Sequence, residues 1–165
     1  MIIRSETSQD VLRTRKLVRS TFADVPHSNG SEGAIIDALR TGGALAVSLV
    51  AEQDGAVVGH VAFSAVRIDG QSVDWYGLGP LAVRPDYQRQ GVGSALVEAG
   101  IREIKALGAA GCVVLGDPAY YRRFGFRVAS TLRFPEAPPE YFQRVDFCGD
   151  GRQGVVVYHS SFYGI

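Results

Sequence analysis

The chain has 165 residues, 46% of them hydrophobic, with seventeen Lys and Arg against seventeen Asp and Glu. A net charge of zero gives no electrostatic footprint for nucleic acid or for an acidic membrane surface, so neither partner is expected. A chain this long buries roughly 70% of its unfolded surface, so its core needs neither a disulfide nor a metal. Cys112 sits in an apolar run and reads as core, and Cys148, beside Gly149, reads as loop. They form no CxxC or Cys/His cluster, so no metal site is expected. The N-terminal MIIRSETSQD lacks a signal-peptide pattern, and the longest apolar stretch, GGALAVSLVA, is too short to cross a bilayer. A cytoplasmic protein is expected.

In chain order, MIIRS reads as a short edge strand. Thr7 with Asp10 three residues on resembles a capping box that opens a helix carrying Val11, Val18 and Phe22 on one side. ADVPHSNGS breaks that helix, and EGAIIDALR forms a second one, stopped by TGG. The period then changes to two. ALAVSLVAE, the turn QDGA and VVGHVAFSAVRI read as a hairpin. Strict alternation puts Val57, Val61, Phe63 and Ala65 on one face of its second strand, and Val58, His60, Ala62, Ser64 and Val66 on the other. After DGQS, VDWYGLGPLAV is a third long strand, whose glycines mark a bulge or a close approach to the backbone. The pattern is helical from about Val92 to Leu107, with Val97, Ile101 and Ile104 recurring on one side. CVVLG is a short buried strand of the kind found in parallel sheets. Asp117 caps a short helix with Pro118 at its first position. FGF leads into a further strand, RFPEAPPEYF is an irregular loop, and GVVVYHSSF is the last strand. The order of elements predicts one α/β domain over residues 1–165, a mixed sheet with helices on both faces.

The stretch RPDYQRQGVGSAL places a polar, glycine-punctuated turn where the long helix begins. The first amides of a helix have no partner within it, and the helix dipole adds partial positive charge there. Gly91 and Gly93 leave the approach open, Arg89 adds a full charge, and Gln88 and Gln90 add donors, which together make a phosphate site. The nucleoside triphosphate loop is excluded by its missing lysine, and the dinucleotide fingerprint by Leu96 where its last glycine belongs.

Gln88-x-x-Gly91-x-Gly93, directly after the strand PLAV, resembles the GNAT superfamily of acetyl-CoA-dependent N-acetyltransferases. YYRRFGF adds to the resemblance, because Tyr121, Gly125 and Phe126 match the Tyr-x-x-x-Gly-Phe common in that family. GDPAYYRRFGF and GHVAFSAV are similar to a bacterial subgroup of unassigned substrate. The resemblance implies a GNAT-like fold with a splayed strand and acetyl-CoA as cosubstrate. It assigns the pantetheine arm to the main chain of Leu81, Ala82 and Val83, and the pyrophosphate to Gln88, Arg89, Gln90, Gly91, Val92, Gly93 and Ser94. Tyr121 takes the role of general acid to the departing thiolate. Many members have a Glu where this chain has Gly77, and an Asn near the place of Asp117.

The amine must lose a proton, and a positioned base is worth about 10²–10⁴-fold. The candidates are Asp74 through a water, and His60 on the neighbouring strand with Ser64 on its face. The other reading is an amine that arrives unprotonated. Each residue also has a plain structural reading: a satisfied strand histidine for His60, a solvated strand end for Asp74, and a core aromatic for Tyr121. The expected acceptor is a primary amine of a small molecule or peptide. The resemblance builds the acceptor pocket from ADVPHSNGSE and the late loop RFPEAPPEYFQRVDF, whose Asp24, Glu32, Glu136, Glu140 and Asp146 read either as a lean toward a cation or as a solvated rim, and a homodimer is a possible assembly. The rival function is a non-catalytic acyl-CoA sensor.

Overall fold

The computed structural model describes residues 1–23, 25, 28, 30–149 and 151–163. Strand β1 (Ile2–Ser5) leads through a 3-10 turn into α1 (Val11–Phe22), and α2 (Glu32–Thr41) follows. The expected break ADVPHSNGS falls between these helices, and its residues Asp24, Pro26, His27 and Asn29 lie outside the described residues. Then come β2 (Leu45–Gln53), β3 (Ala56–Ile68), β4 (Gln71–Val83), α3 (Val92–Ala106) and β5 (Gly111–Leu115). The chain continues through α4 (Pro118–Tyr121), β6 (Leu132–Arg133), β7 (Phe142–Asp146) and β8 (Gly154–Val157). Both hairpin turns are Asp-Gly pairs with positive φ at each residue, Asp54 at 52° with Gly55 at 78°, and Asp69 at 50° with Gly70 at 76°. That geometry matches the twist of the strands they join, and Asp and Gly tolerate it better than other residues.

The strands run in the order β1-β2-β3-β4-β5-β7, with β8 joining β3 and β6 pairing with β8. Pairing is antiparallel except for β4 with β5 and β6 with β8. Helices cover both faces. Leu17 and Val18 of α1 and Ile36 of α2 bury against Val50, Val57, Ala62 and Ala82. On the other face Val92, Leu96, Val97 and Ile104 of α3 pack on Leu49, Val58, Val61 and Phe63. Each such side chain contributes about 1.5–3 kcal/mol when fully buried.

Two bulges set the geometry of the centre. Glu52 pairs with Val57 while Ala51 pairs with Gly59, so Val58 is an extra residue on β3. The strict alternation expected for this strand therefore fails. Val57 turns to the α1 face, away from Val61 and Phe63, and Val58 joins them on the α3 face. Ala65 is exposed. Further along, Val61 pairs with Leu81 and Phe63 with Leu78, leaving Gly79 and Pro80 as a bulge on β4 opposite Ala62. The parallel pairing of β4 with β5 runs from Trp75↔Gly111 to Leu78↔Val114 and stops there. Beyond that bulge β4 keeps β3 as its partner and parts from β5.

The C-terminal third departs from the sequence expectation in three places. FGF leads into no strand, only an isolated bridge between Arg127 and Arg144. Phe142–Asp146, the end of the expected acceptor loop, is instead a full strand, β7, antiparallel to β5. The last strand ends at Val157, and Ser160–Tyr163 forms a 3-10 turn. Charge hid β7. Arg144 is only 2% exposed, but its guanidinium is held 2.6 Å from Asp146, donates to the Arg152 carbonyl at 2.6 Å and lies over the Trp75 ring. A buried Arg is tolerated when its donors are taken up in this way.

Candidate active site

The split between β4 and β5 opens beside the N-terminus of α3. Leu81, Val83, Gln88, Arg89, Gly91, Gly93 and Ser94 share a cavity of about 650 Å³ there, closed by Thr21 and Phe22 of α1 and by Tyr120 and Arg123. Arg89 and Gly91 hold positive φ, 61° and 87°, which turns the chain sharply into the helix. The first bond of α3 runs from Ala95 N to Gly91 O at 3.0 Å, so the amides of Val92, Gly93 and Ser94 lie at the free end of the helix. A cavity lined by helix-end amides and an arginine fits a phosphate chain.

The expected ligand set divides. Two glutamines brace the turn: Gln88 Nε2 donates to the Val83 carbonyl at 2.9 Å, and Gln90 Nε2 donates to the Asp86 carbonyl at 3.1 Å. Ala82 is buried under α1 and α2, and Val92, the first residue of α3, is buried against the sheet, so any part they take is through the main chain. A Cβ on Gly93 would stand 2.7 Å from the Tyr120 hydroxyl. Tyr120 is thus the wall facing the helix end, with the Arg123 guanidinium 4.5 Å above its ring. From the sequence alone Tyr120 reads as packing or a substrate wall, Arg123 reads equally as a contact to the CoA phosphates or a solvated helix face, and nothing marks Thr21 and Phe22 as site residues.

Asp117 caps α4, accepting from Ala119 N at 2.9 Å, with Pro118 after it as expected. That cap presents Tyr121, whose ring lies on Gly116 and against Phe126 at a centroid distance of 5.9 Å. Burial pushes the Tyr121 phenol well above its ordinary pKa, with smaller contributions from Tyr120 and Cys112. The phenol therefore stays protonated at neutral pH, as a proton donor must. Gly77, in the part of β4 still paired with β5, carries the ring of Tyr158, 2.5 Å from a Cβ built there.

The two base candidates separate. Asp74 is exposed, with φ at 60°, and lines a different cavity of about 660 Å³ with Trp75, Tyr158 and His159. His60 is fully buried on the α1 face, opposite Ala82, and its Nε2 lies 2.8 Å from Ser48 Oγ. Burial pushes its pKa down to about 4, against the opposing pull of Glu6. Ser64 is buried on the same strand and its hydroxyl has no partner among the described residues. Around the expected acceptor pocket, Asp146 is committed to Arg144 and Arg127, and Glu32 accepts from Ser28 at 2.7 Å. Glu136 and Glu140 are exposed, and Asp24 lies outside the described residues.

A strand split facing a glycine turn at a helix N-terminus, with a buried tyrosine on the next short helix, defines an acyl-CoA-type transferase architecture. The family model described as acetyltransferase (GNAT) domain matches residues 45–128. The chain is 37% identical over 169 residues to the uncharacterized N-acetyltransferase YhbS of Escherichia coli strain K12, with 98% of each covered. It is similar to a crystal structure of a GNAT family acetyltransferase from Brucella melitensis in complex with acetyl-CoA. There the identity is 46% and the TM-score 0.88, with 98% of this chain and 97% of that chain covered. Against the Escherichia coli YhbS structure in complex with CoA the identity is 36% and the TM-score 0.89, with 98% and 91% covered. The chain belongs to the GNAT acetyltransferase family.

Proposed function

We propose that the protein transfers an acetyl group from acetyl-CoA to a primary amine of a small molecule or peptide, by direct attack of the amine on the thioester. One observation carries the reading: the cavity that joins the free amides of α3 to the unpaired edge of β4. The relatives crystallised with acetyl-CoA and CoA support it. In this reading the amides of Gly91 to Ser94 and the Arg89 charge hold the pyrophosphate. The edge of β4 from Leu81 to Val83 aligns the pantetheine arm, and amides near Val83 polarise the thioester carbonyl, as preorganised donors do. Tyr121 gives its proton to the departing thiolate. His60 is the base candidate that the geometry favours over Asp74, because its partner on β4, Ala82, lies just past the bulge where β4 leaves β5, whereas Asp74 lines a different cavity. The reading takes residues 1–165 as one catalytic domain acting in the cytoplasm, alone or as a homodimer.

Tyr121→Phe tests this. An enzyme loses about 10²–10⁴-fold in turnover with a panel of primary amines while acetyl-CoA affinity stays within twofold. A variant with unchanged turnover removes Tyr121 from the mechanism. Binding of acetyl-CoA without turnover of any amine by the wild type marks a sensor.

A further inference from the structure

Three polar side chains, Glu6 just past β1, Ser48 of β2 and His60 of β3, form one line beneath α1 and α2. Arg40 Nη2 donates to Glu6 Oε1 at 2.9 Å, Ser48 Oγ donates to Glu6 Oε2 at 2.8 Å, and His60 Nε2 lies 2.8 Å from Ser48 Oγ. A serine hydroxyl has one proton, and a carboxylate only accepts. Glu6 remains a carboxylate: burial favours its neutral form, but hydrogen bonds from Ser48 and Arg40 outweigh this and hold its pKa below the ordinary value. The Ser48 proton therefore points at Glu6. Were it turned to His60, no proton would separate Ser48 Oγ from a carboxylate oxygen 2.8 Å away. His60 must then donate through Nε2, which leaves Nδ1 as the unprotonated nitrogen. His60 Nδ1 is buried and has no hydrogen-bond partner among the described residues.

The two ends of this line differ. Its inner end is buried on β3, beside the bulge at which β4 parts from β5. His60 and Ser64 share a face of β3 and flank Ala62, which stands opposite the Gly79–Pro80 bulge of β4. The Ser64 hydroxyl is a second buried atom without a partner among the described residues. Buried polar atoms of this kind are normally satisfied, so both await a water or a substrate group. The outer end is open. Glu6, Arg40 and Ser48 line a cavity of about 400 Å³ together with Thr7, Ser8 and Leu45.

We propose that His60, Ser48 and Glu6 form a proton relay that carries the acceptor's proton from the strand split to this outer cavity. The inference rests on the acetyltransferase reading above. As the amine nitrogen bonds to the thioester carbon, its proton passes to His60 Nδ1, directly or through one water. The Nε2 proton passes to Ser48 Oγ, and the Ser48 proton passes to Glu6, which releases it to solvent. The C–S bond then breaks, its electron pair stays on sulfur, and Tyr121 protonates the thiolate before regaining a proton from solvent. The sum is amine plus acetyl-CoA giving amide plus CoA thiol. A buried imidazole is a poor resting place for a proton, so His60 passes it through rather than storing it.

The relay predicts one tautomer. Two-bond proton–nitrogen correlation spectra at neutral pH, assigned with His60→Gln among only three histidines, should show His60 protonated at Nε2 and bare at Nδ1. A proton on Nδ1 overturns the proposal. Its second test is CoA release from acetyl-CoA with water as the acceptor, since water must also lose a proton. Ser48→Ala should lower this rate at least tenfold and Ser48→Thr should restore it to within threefold, with acetyl-CoA affinity within twofold throughout. Equal rates for Ser48→Ala and wild type overturn the relay, and so does a Ser48→Thr rate as low as that of Ser48→Ala. If the wild type fails to bind acetyl-CoA, the acetyltransferase reading falls instead, and the tautomer result reports on the hydrogen-bond chain alone.

Discussion

The ring of Tyr121 lies against Gly116, and a Cβ built on that glycine would stand 2.5 Å from Tyr121 Cε2 and 3.5 Å from Cζ. Gly116 has no positive φ, so its backbone accepts alanine and the ring is what a methyl group displaces. Misplacing a reacting group by about 1 Å costs up to about 10²-fold. Gly116→Ala should lower amine acetylation at least tenfold and leave acetyl-CoA affinity within twofold, read by steady-state kinetics and calorimetry. A kcat equal to wild type would detach Tyr121 from the chemistry.

Gly91 and Gly93 are two residues apart and needed for different reasons. Gly91 has φ at 87° with open space where a Cβ would lie, whereas a Cβ on Gly93 meets the Tyr120 hydroxyl at 2.7 Å. Gly91→Ala should cost about 1–2 kcal/mol through its left-handed backbone and lower the melting temperature by several degrees. Gly93→Val should weaken acetyl-CoA binding at least tenfold, with a smaller effect on melting. Thermal melts and titrations on both variants check the division.

Asp10 locks the start of α1. Its carboxylate takes a bidentate pair of hydrogen bonds from Arg4, at 2.7 Å and 3.0 Å, and one from Thr7 N at 2.8 Å, which completes the box expected from Thr7 and Asp10. The Arg4 bonds hold the Asp10 pKa well below the ordinary carboxylate range, although burial opposes this. A depressed native pKa means the unfolded state binds more protons, so this contribution is complete above the unfolded value of about 3.9 and is lost as pH falls through the native one. Asp10→Asn should cost about 1.5–3 kcal/mol at pH 7, the range for hydrogen bonds to charged groups. The gap to wild type in urea unfolding should narrow steadily below about pH 4. A gap that is constant with pH would contradict the ionic account.

Gly100, inside α3, is pressed against the Phe63 ring, which a Cβ there would overlap. Helix propensity favours alanine by about 1 kcal/mol, and overpacking costs about 1–3 kcal/mol. The contact should win. Gly100→Ala is expected to lower the urea midpoint, and a raised midpoint would show that α3 can shift away from the sheet.

The parts of the site legible in the sequence are those fixed by local chemistry. Gly91 and Gly93 at a helix start, and Pro118 after Asp117, report on backbone angles and caps that a few neighbouring residues determine. The Asp-Gly turns at 54–55 and 69–70 are legible for the same reason. What stayed hidden depends on contacts distant in sequence. The face of Val57 was misread because the bulge at Val58 is a property of the β2–β3 pair. Strand β7 was misread because Arg144 looks like a surface residue until Asp146 and the Trp75 ring enclose it. The line from Glu6 through Ser48 to His60 has no sequence signature, since those residues stand 42 and 12 positions apart and meet only through strand pairing.

The most direct test of the central claim is calorimetric titration of the purified protein with acetyl-CoA, with ATP and NAD as controls. The account predicts saturable one-to-one binding of acetyl-CoA that Gly93→Val weakens at least tenfold, and no comparable binding of either control. Folded protein, free of copurified CoA, that gives no heat with acetyl-CoA would contradict it. The amides at the start of α3 would then be an ordinary helix end.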